Sequence, residues 1–230
     1  MPWTSILLLT LVLGCGDRQP TAPSSLPQAE PVVPSGPRMA LSGTVFERTS
    51  GRPIEGARVY VWPLSNPTGG LGGFNSDASG RFRIPSLPAD LGAVWVTAGL
   101  GGYRQQCVAM ATLGSDDATA DVALVSRENL AAANAQVPTI PGTRRVSGVV
   151  YEVTESGRRP IEAAGVGWDA SELDSVVADT WSDAAGHYVL CGLPTRQIQG
   201  LFATTGFGSV SYVSVDAGSD AVVDIEMRRR

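Results

Sequence analysis

LSGTVFERTSGRPIEGARVYVW, residues 41–62, returns as VSGVVYEVTESGRRPIEAAGVGW, residues 146–168. Downstream, SDASGRFRIPSLP at 76–88 comes back as SDAAGHYVLCGLP at 182–194. The offset between matched residues stays near 106, being 105 from Gly43 to Gly148 and 106 from Asp77 to Asp183 and from Leu87 to Leu193. Two copies of one small unit therefore fill most of the chain, and insertions within a copy are small.

Inside each copy the apolar residues alternate. Ala57, Val59 and Val61 stand against Arg58, Tyr60 and Trp62, and Phe82 and Ile84 stand against Arg81 and Arg83. A period of two marks half-buried strands rather than helices. In the first copy the predicted strands are 40–47, 57–62, 72–76, 81–84, 93–98, 104–111 and 119–125, separated by Gly, Pro, Asp and Ser clusters. In the second they are 146–153, 163–169, 176–182, 187–191, 199–204, 209–215 and 221–227. Seven short strands in about 85 residues describe a β-sandwich, so the expected fold is all-β: two tandem seven-stranded antiparallel β-sandwiches. Each unit is long enough to bury its own modest core. The predicted boundaries are 39–126 and 144–230 for the sandwiches and 127–143 for the linker. That linker reads as a short helical turn from Glu128 to Ala135 followed by a stiff spacer containing Pro138 and Pro141, so the two units are expected to be beads on a short string.

The residues resemble the carboxypeptidase regulatory-like domains, whose sandwich is transthyretin-like or prealbumin-like. The pattern is an opening G-x-V strand, a turn ending in P-I-x-G/A-A, a D-x-x-G-x-aromatic hairpin and a leucine-proline pair. Here it is carried by Gly43, Val45, Pro53, Ile54, Gly56, Ala57, Asp77, Gly80, Phe82, Leu87 and Pro88. The second copy supplies Gly148, Val150, Pro160, Ile161, Ala163, Ala164, Asp183, Gly186, Tyr188, Leu193 and Pro194. The resemblance spans residues 39–126 and 144–228 and implies fold more than function, because these positions mark turns and core. Transthyretin-like folds include a histidine-dependent hydrolase, and a single histidine does not carry that site over. The related collagen-adhesin sandwiches are cross-linked through lysine, which this chain lacks.

Ahead of the repeats stands MPWTSILLLTLVLGCGD, with an apolar run from Ile6 to Leu13 that is too short to span a bilayer as a helix. Its LVLGC resembles a bacterial lipoprotein signal, which implies a signal peptide at 1–14, cleavage after Gly14 and a lipid on Cys15. Gly16 rather than Asp after that cysteine favours the outer membrane, by the same resemblance. Residues 15–38 are rich in Pro, Ser, Gln and Ala and cannot build a core, so a disordered tether is expected. The implied partners are a membrane, through the lipid on Cys15, and an envelope protein or a glycan.

Two cysteines remain, Cys107 in a late strand of the first copy and Cys191 in the second. A disulfide between them would contribute on the order of 4 kcal/mol in the chain-entropy picture. Their places in the repeats are not equivalent, so a bridge has to cross between the copies; the alternative is two buried free thiols.

Catalytic and cofactor motifs are not found. His187, the single histidine, alternates with Tyr188 and falls on the solvent face, and it cannot build a two-histidine metal site. GFGS at 206–209 is not a nucleophile elbow. GGLGGF at 69–74 and GLGGY at 99–103 miss the dinucleotide-binding spacing and read as loops. Asn75, Asp77, Ser79 and Gly80 open like a calcium loop, but Ser86 stands where its bidentate Glu belongs. No cofactor or metal is therefore expected, and an enzymatic reading requires an unmarked site between the domains. A net charge of −5 disfavours nucleic acid, and the Arg228–Arg230 cluster reads as a solvated tail. Tyr60, Trp62, Trp95 and Tyr103 in the first copy are the candidates for stacking on sugar rings, beside Trp168, Trp181, Tyr188 and Tyr212 in the second, against the alternative that they pack in the core. The leading expectation is a non-enzymatic envelope module, structural or protein-binding, with a carbohydrate-binding module second.

Overall fold

Alternation becomes burial in the computed structural model, which describes residues 37–64, 70–114, 116–169, 176–205 and 210–228. Val59, Val61, Phe82 and Ile84 are buried, while Arg58, Arg81 and Arg83 face solvent. The signal sequence, Cys15, the tether up to residue 36, GFGS at 206–209 and the last two arginines lie outside the described residues.

The first copy comprises β1 (Arg38–Glu47), β2 (Arg58–Pro63), β3 (Leu71–Asn75), β4 (Arg81–Pro88), β5 (Ala93–Gly99), β6 (Tyr103–Arg104), β7 (Ala109–Thr112), β8 (Ala118–Thr119) and β9 (Val122–Ser126). Helix α1 (Leu130–Ala135) follows. The second copy comprises β10 (Thr143–Thr154), β11 (Gly157–Pro160), β12 (Gly165–Asp169), β13 (Val176–Trp181), β14 (His187–Pro194), β15 (Ile198–Thr204), β16 (Val210–Val215), β17 (Ala221–Val222) and β18 (Ile225–Glu226). Each copy is two facing sheets. One pair is β4-β1-β9-β6, with β8 beside β1, over β3-β2-β5-β7; the other is β11-β10-β14, with β17 and β18 beside β10, over β13-β12-β15-β16.

The fold is the all-β pair of sandwiches that the alternation predicts, with local departures, one of them the unpredicted strand β11, which pairs with β10 as a hairpin. The closing strand of each copy is broken in two and runs parallel to the opening strand, as β8 and β9 along β1 and as β17 and β18 along β10. The expected strand 104–111 is also split: Tyr103 and Arg104 pair with β9, Ala109–Thr112 pair with β5, and the residues between leave both sheets. Of the glycine-rich runs read as loops, Leu71 to Phe74 belongs to the edge strand β3.

Two motif glycines have clear physical reasons. A Cβ on Gly43 would lie 1.9 Å from the carbonyl oxygen of Ala120, and one on Gly148 would lie 1.9 Å from that of Val223, so only glycine lets the broken closing strand cross the opening one. Gly80 and Gly186 take φ of 72° and 77° at the hairpin that Asp77 and Asp183 organise.

The string-of-beads expectation does not hold, because residues Ser35–Arg230 form one compact unit. The apolar cluster of the second sandwich, built on Val146, Val166, Trp168, Tyr188 and Leu201, also contains Trp95 and Val108 from the first copy. The linker is not a free spacer: Leu130 and Ala133 of α1 are buried with Val125 and Trp181, one from each copy.

Candidate functional site

The most elaborately built part of the molecule is the junction made by residues 104–108. In an ordinary sheet these residues would continue β7 and pair with the end of β5, as Ser211 and Val213 of β16 pair with Ala203 and Leu201 of β15 in the second copy. Here the Gln105 side chain takes over that role. Its carbonyl accepts from the Ala98 N–H at 2.8 Å, and its amide donates to the Val96 carbonyl at 2.9 Å. Two buried backbone groups of β5 are thus satisfied by a side chain.

The Gln105 main chain is then free to join the second sandwich. Its carbonyl accepts from the Asp179 N–H at 2.9 Å, and its N–H donates to the Asp179 carboxylate at 3.2 Å. Further on, the Val108 N–H donates to the Cys191 carbonyl at 2.9 Å and the Cys191 N–H donates to the Gln106 carbonyl at 3.1 Å. The segment therefore caps the adjoining edges of both sheets of the second copy, β13 and β14. Edge addition of this kind is how extended peptides bind sheets in general. The contact is covalent as well: Cys107 and Cys191 form a disulfide, with Cα atoms 4.3 Å apart.

Charged and aromatic groups frame the segment. Arg104 pairs with Asp179 at 2.9 Å. Burial pushes the Asp179 carboxyl up, and Arg104 opposes this. The guanidinium groups of Arg104 and Arg127 lie 4.9 and 5.1 Å from the Trp181 ring centroid. Trp95 packs edge-on against Trp168, 5.6 Å between centroids. Arg48 donates to the Ala133 carbonyl of α1 with one nitrogen and stands 3.3 Å from the Cys107 sulfur with another. Beside it, Glu47 is buried; burial alone would raise its carboxyl, but the hydroxyls of Thr49 and Ser50 and the Ser50 N–H hold it at about 2.

Of the sequence candidates for stacking, Trp95 is corrected: it is only 4% exposed and faces Trp168, so a sugar cannot reach it. Tyr60 and Trp62 share the outer face of β2, 6.2 Å apart, with Arg58 over the Tyr60 ring. The Trp62 indole donates to the Thr97 hydroxyl at 2.9 Å, and its ring packs against the second core. Tyr103 packs against the first core, with its hydroxyl 3.4 Å from Arg52. In the second copy Trp168, Trp181 and Tyr188 are buried, and the outward aromatic residue is Tyr212, which is 70% exposed beside Phe202.

His187 is exposed next to Asp183. The Asp77 carboxylate accepts the N–H groups of Ser79 and Arg81, as a hairpin requires. Among the described residues no group of three or more His, Cys, Asp or Glu is placed to hold a metal ion, and no helix is long and apolar enough to cross a membrane.

Sequence reading passed over a second repeat. DATAD at 117–121 and DAVVD at 220–224 place one aspartate before the short first piece of each closing strand, β8 or β17, and one in the break after it. Asp117 and Asp121 accept from the Ala40 and Thr44 N–H groups, and Asp220 and Asp224 from those of Arg145 and Val149. These carboxylates replace strand carbonyls, and the D-A-x-x-D spacing was the available signal. Gln105 left no such signal, because its partners lie on two different sheets.

Searching the curated proteins finds no match. Solved structures with a similar course include GBS52, the minor pilin of Streptococcus agalactiae, at 13% identity and a TM-score of 0.29, covering 84% of this chain and 96% of that one. The Bacillus anthracis TIE protein gives 10% and 0.32, covering 84% of this chain and 34% of its own length. The shaft pilin SpaA from Lactobacillus rhamnosus GG gives 11% and 0.29, covering 84% and 99%. Scores this low support no inference about role. Residues 40–125, which make up nearly all of the first sandwich, match the family model of the carboxypeptidase regulatory-like domain.

Proposed function

We propose that this chain is a non-enzymatic envelope protein that acts as a structural or protein-interaction module, anchored to a membrane through a lipid on Cys15. The observation that carries the reading is the junction. Its amides, carboxylates and thiols are used to fasten one sandwich to the other, which makes a stiff two-domain body rather than a reaction site. The disulfide fits an oxidising, exported location, where such bonds persist. The lipobox-like LVLGC supports the anchor, with the outer membrane favoured. Intact-mass measurement on the membrane fraction tests this directly. A chain beginning at Cys15 with added acyl mass is the expected result, and Cys15→Ser should move the protein to the soluble fraction. A Cys15→Ser protein that stays with the membrane would remove the anchor from the reading.

A second reading, carbohydrate binding, draws on the exposed Tyr212 and its neighbour Phe202, 6.1 Å away on the second sandwich. Titration with cell-wall polysaccharide, followed through tyrosine and tryptophan emission in the wild type and in Tyr212→Ala, tests it; no saturable change would dispose of it.

A further inference from the structure

The disulfide at the junction is chemically lopsided. Cys191 is fully buried, at 0% exposure, in the middle of β14, whereas Cys107 is partly exposed. Arg48 stands 3.3 Å from the Cys107 sulfur, and its other nitrogen is tied to the carbonyl of Ala133 in the linker helix. A guanidinium in direct contact with the Cys107 sulfur stabilises a thiolate there more than one on Cys191. The charged side chains nearest the segment are Glu47 on β1, Arg104 on the segment itself, Arg127 ahead of α1 and Asp179 on β13, while Arg38, Glu128 and His187 also lie on the packed elements. One oxygen of Glu47 accepts from Thr49 and Ser50 while its charge also acts on Arg48, and Arg104 pairs with Asp179. Arg127 lies over Trp181.

We propose that the Cys107–Cys191 bond is a redox-controlled lock on the docking of the two sandwiches, that Cys107 is the reactive thiolate released when it opens, and that Arg48 positions and stabilises that thiolate. The bond opens by ordinary exchange. A thiolate of an external dithiol attacks one sulfur in line with the S–S bond, forms a mixed disulfide and expels the other cysteine as thiolate. The second thiol of the reductant then displaces the bound cysteine and leaves as its own disulfide, so two electrons pass to the pair and each cysteine ends as thiol or thiolate. Attack at Cys191 would expel the favoured Cys107 thiolate, but burial blocks it. Attack at Cys107 is open, but it must expel the buried Cys191. The docked state therefore resists reduction, and any loosening of the junction exposes Cys191 and speeds it. Once the bond is open, residues 104–108 are held on β13 and β14 by non-covalent contacts alone, namely hydrogen bonds, the Arg104–Asp179 pair, Arg104 over Trp181 and Val108 in the second core, and the two bodies can separate.

The test uses the full chain, reduced with dithiothreitol without denaturant, pulsed with iodoacetamide across a pH series and mapped by peptide mass spectrometry. Cys107 should be modified before Cys191, with a midpoint at least about one pH unit below the ordinary thiol value of about 8.5. Arg48→Met should return that midpoint to the ordinary value, and Arg48→Lys should keep it low. Small-angle scattering should show a larger maximum dimension after reduction that reverses on reoxidation. Equal modification of the two cysteines, a midpoint that Arg48→Met does not move, or an unchanged scattering profile would overturn the proposal. If Arg48→Met does not fold, the comparison of Cys107 with Cys191 in the wild type and in Arg48→Lys decides the matter alone. None of these readouts depends on a membrane anchor.

Discussion

The two sandwiches share a strand plan yet treat the same edge in opposite ways. In the second copy, the β13 and β14 edges receive residues 104–108 through Asp179 and Cys191. Counting from the matched Ser76 and Ser182, the first copy has Gly73 where Asp179 stands, and Pro85 where Cys191 stands. Proline has no N–H to give, and Gly72 and Gly73, at φ of 137° and 97°, bend β3 out of a regular edge. Two or three side chains therefore decide whether a common fold accepts a neighbour or refuses one.

The turn after the opening strand offers a smaller contrast. Glu47 and Glu152 are matched and both buried, but the second copy carries two more residues between Glu and Pro. Those residues turn the single bridge between Phe46 and Pro53 into the hairpin of β10 and β11. The hairpin brings Arg159 against Glu152, whereas Glu47 relies on Thr49 and Ser50.

The strongest way to break the edge comparison is to give the second copy the residue of the first. Cys191→Pro removes both the disulfide and the N–H bonded to Gln106, and should cost about 5 kcal/mol. Calorimetry should then resolve two unfolding transitions; a single transition at the original temperature would mean that the edge contact is dispensable. Gln105→Ala leaves the Ala98 N–H and the Val96 carbonyl without their partner, and should cost about 3–4 kcal/mol in urea unfolding. A loss below about 1 kcal/mol would show that β5 does not need the side chain.

Glu47 gives the first copy a signature on the acid side. Glu47 titrates at about 2 in the folded chain against an ordinary value of 4.5, so its contribution is complete above pH ~4.5 and disappears as the pH falls toward 2. That contribution is on the order of 3 kcal/mol. Glu47→Gln should flatten this stretch of the stability-versus-pH curve, and an unchanged curve would assign the acid sensitivity elsewhere. The smallest effect is expected at Ala163, which holds φ of 59° where the first copy has Gly56 at 74°. Ala163→Gly should stabilise the second sandwich by about 0.5–1 kcal/mol, read as a small rise in melting temperature.

Some of this architecture could be read from local pattern. The pairs Val59 with Val61 and Phe82 with Ile84, the Asp77 and Asp183 hairpins, and the repeat itself depend on residues a few positions apart, where alternation and turn chemistry act directly. The D-A-x-x-D pairs were equally local, yet they are informative only once the closing strand is known to break at the second aspartate. The run 104–111 reads as one strand, because nothing within it says that Gln105 will pair with two sheets at once. Trp95 carried the same ambiguity: between Val94 and Val96 its own face is undecided by alternation, and only the second sandwich makes that face an interior.

The amino-acid sequence by itself determined two copies of an all-β sandwich, because a twofold period and a repeated set of turn residues operate over distances that the chain encodes locally. Tertiary structure alone decided that the copies are fastened together, that Cys107 meets Cys191 across a separation of 84 residues, and that Arg48 stands against the Cys107 sulfur. Those contacts join residues at non-equivalent places in the repeat, and no periodicity can announce them before the sheets have closed.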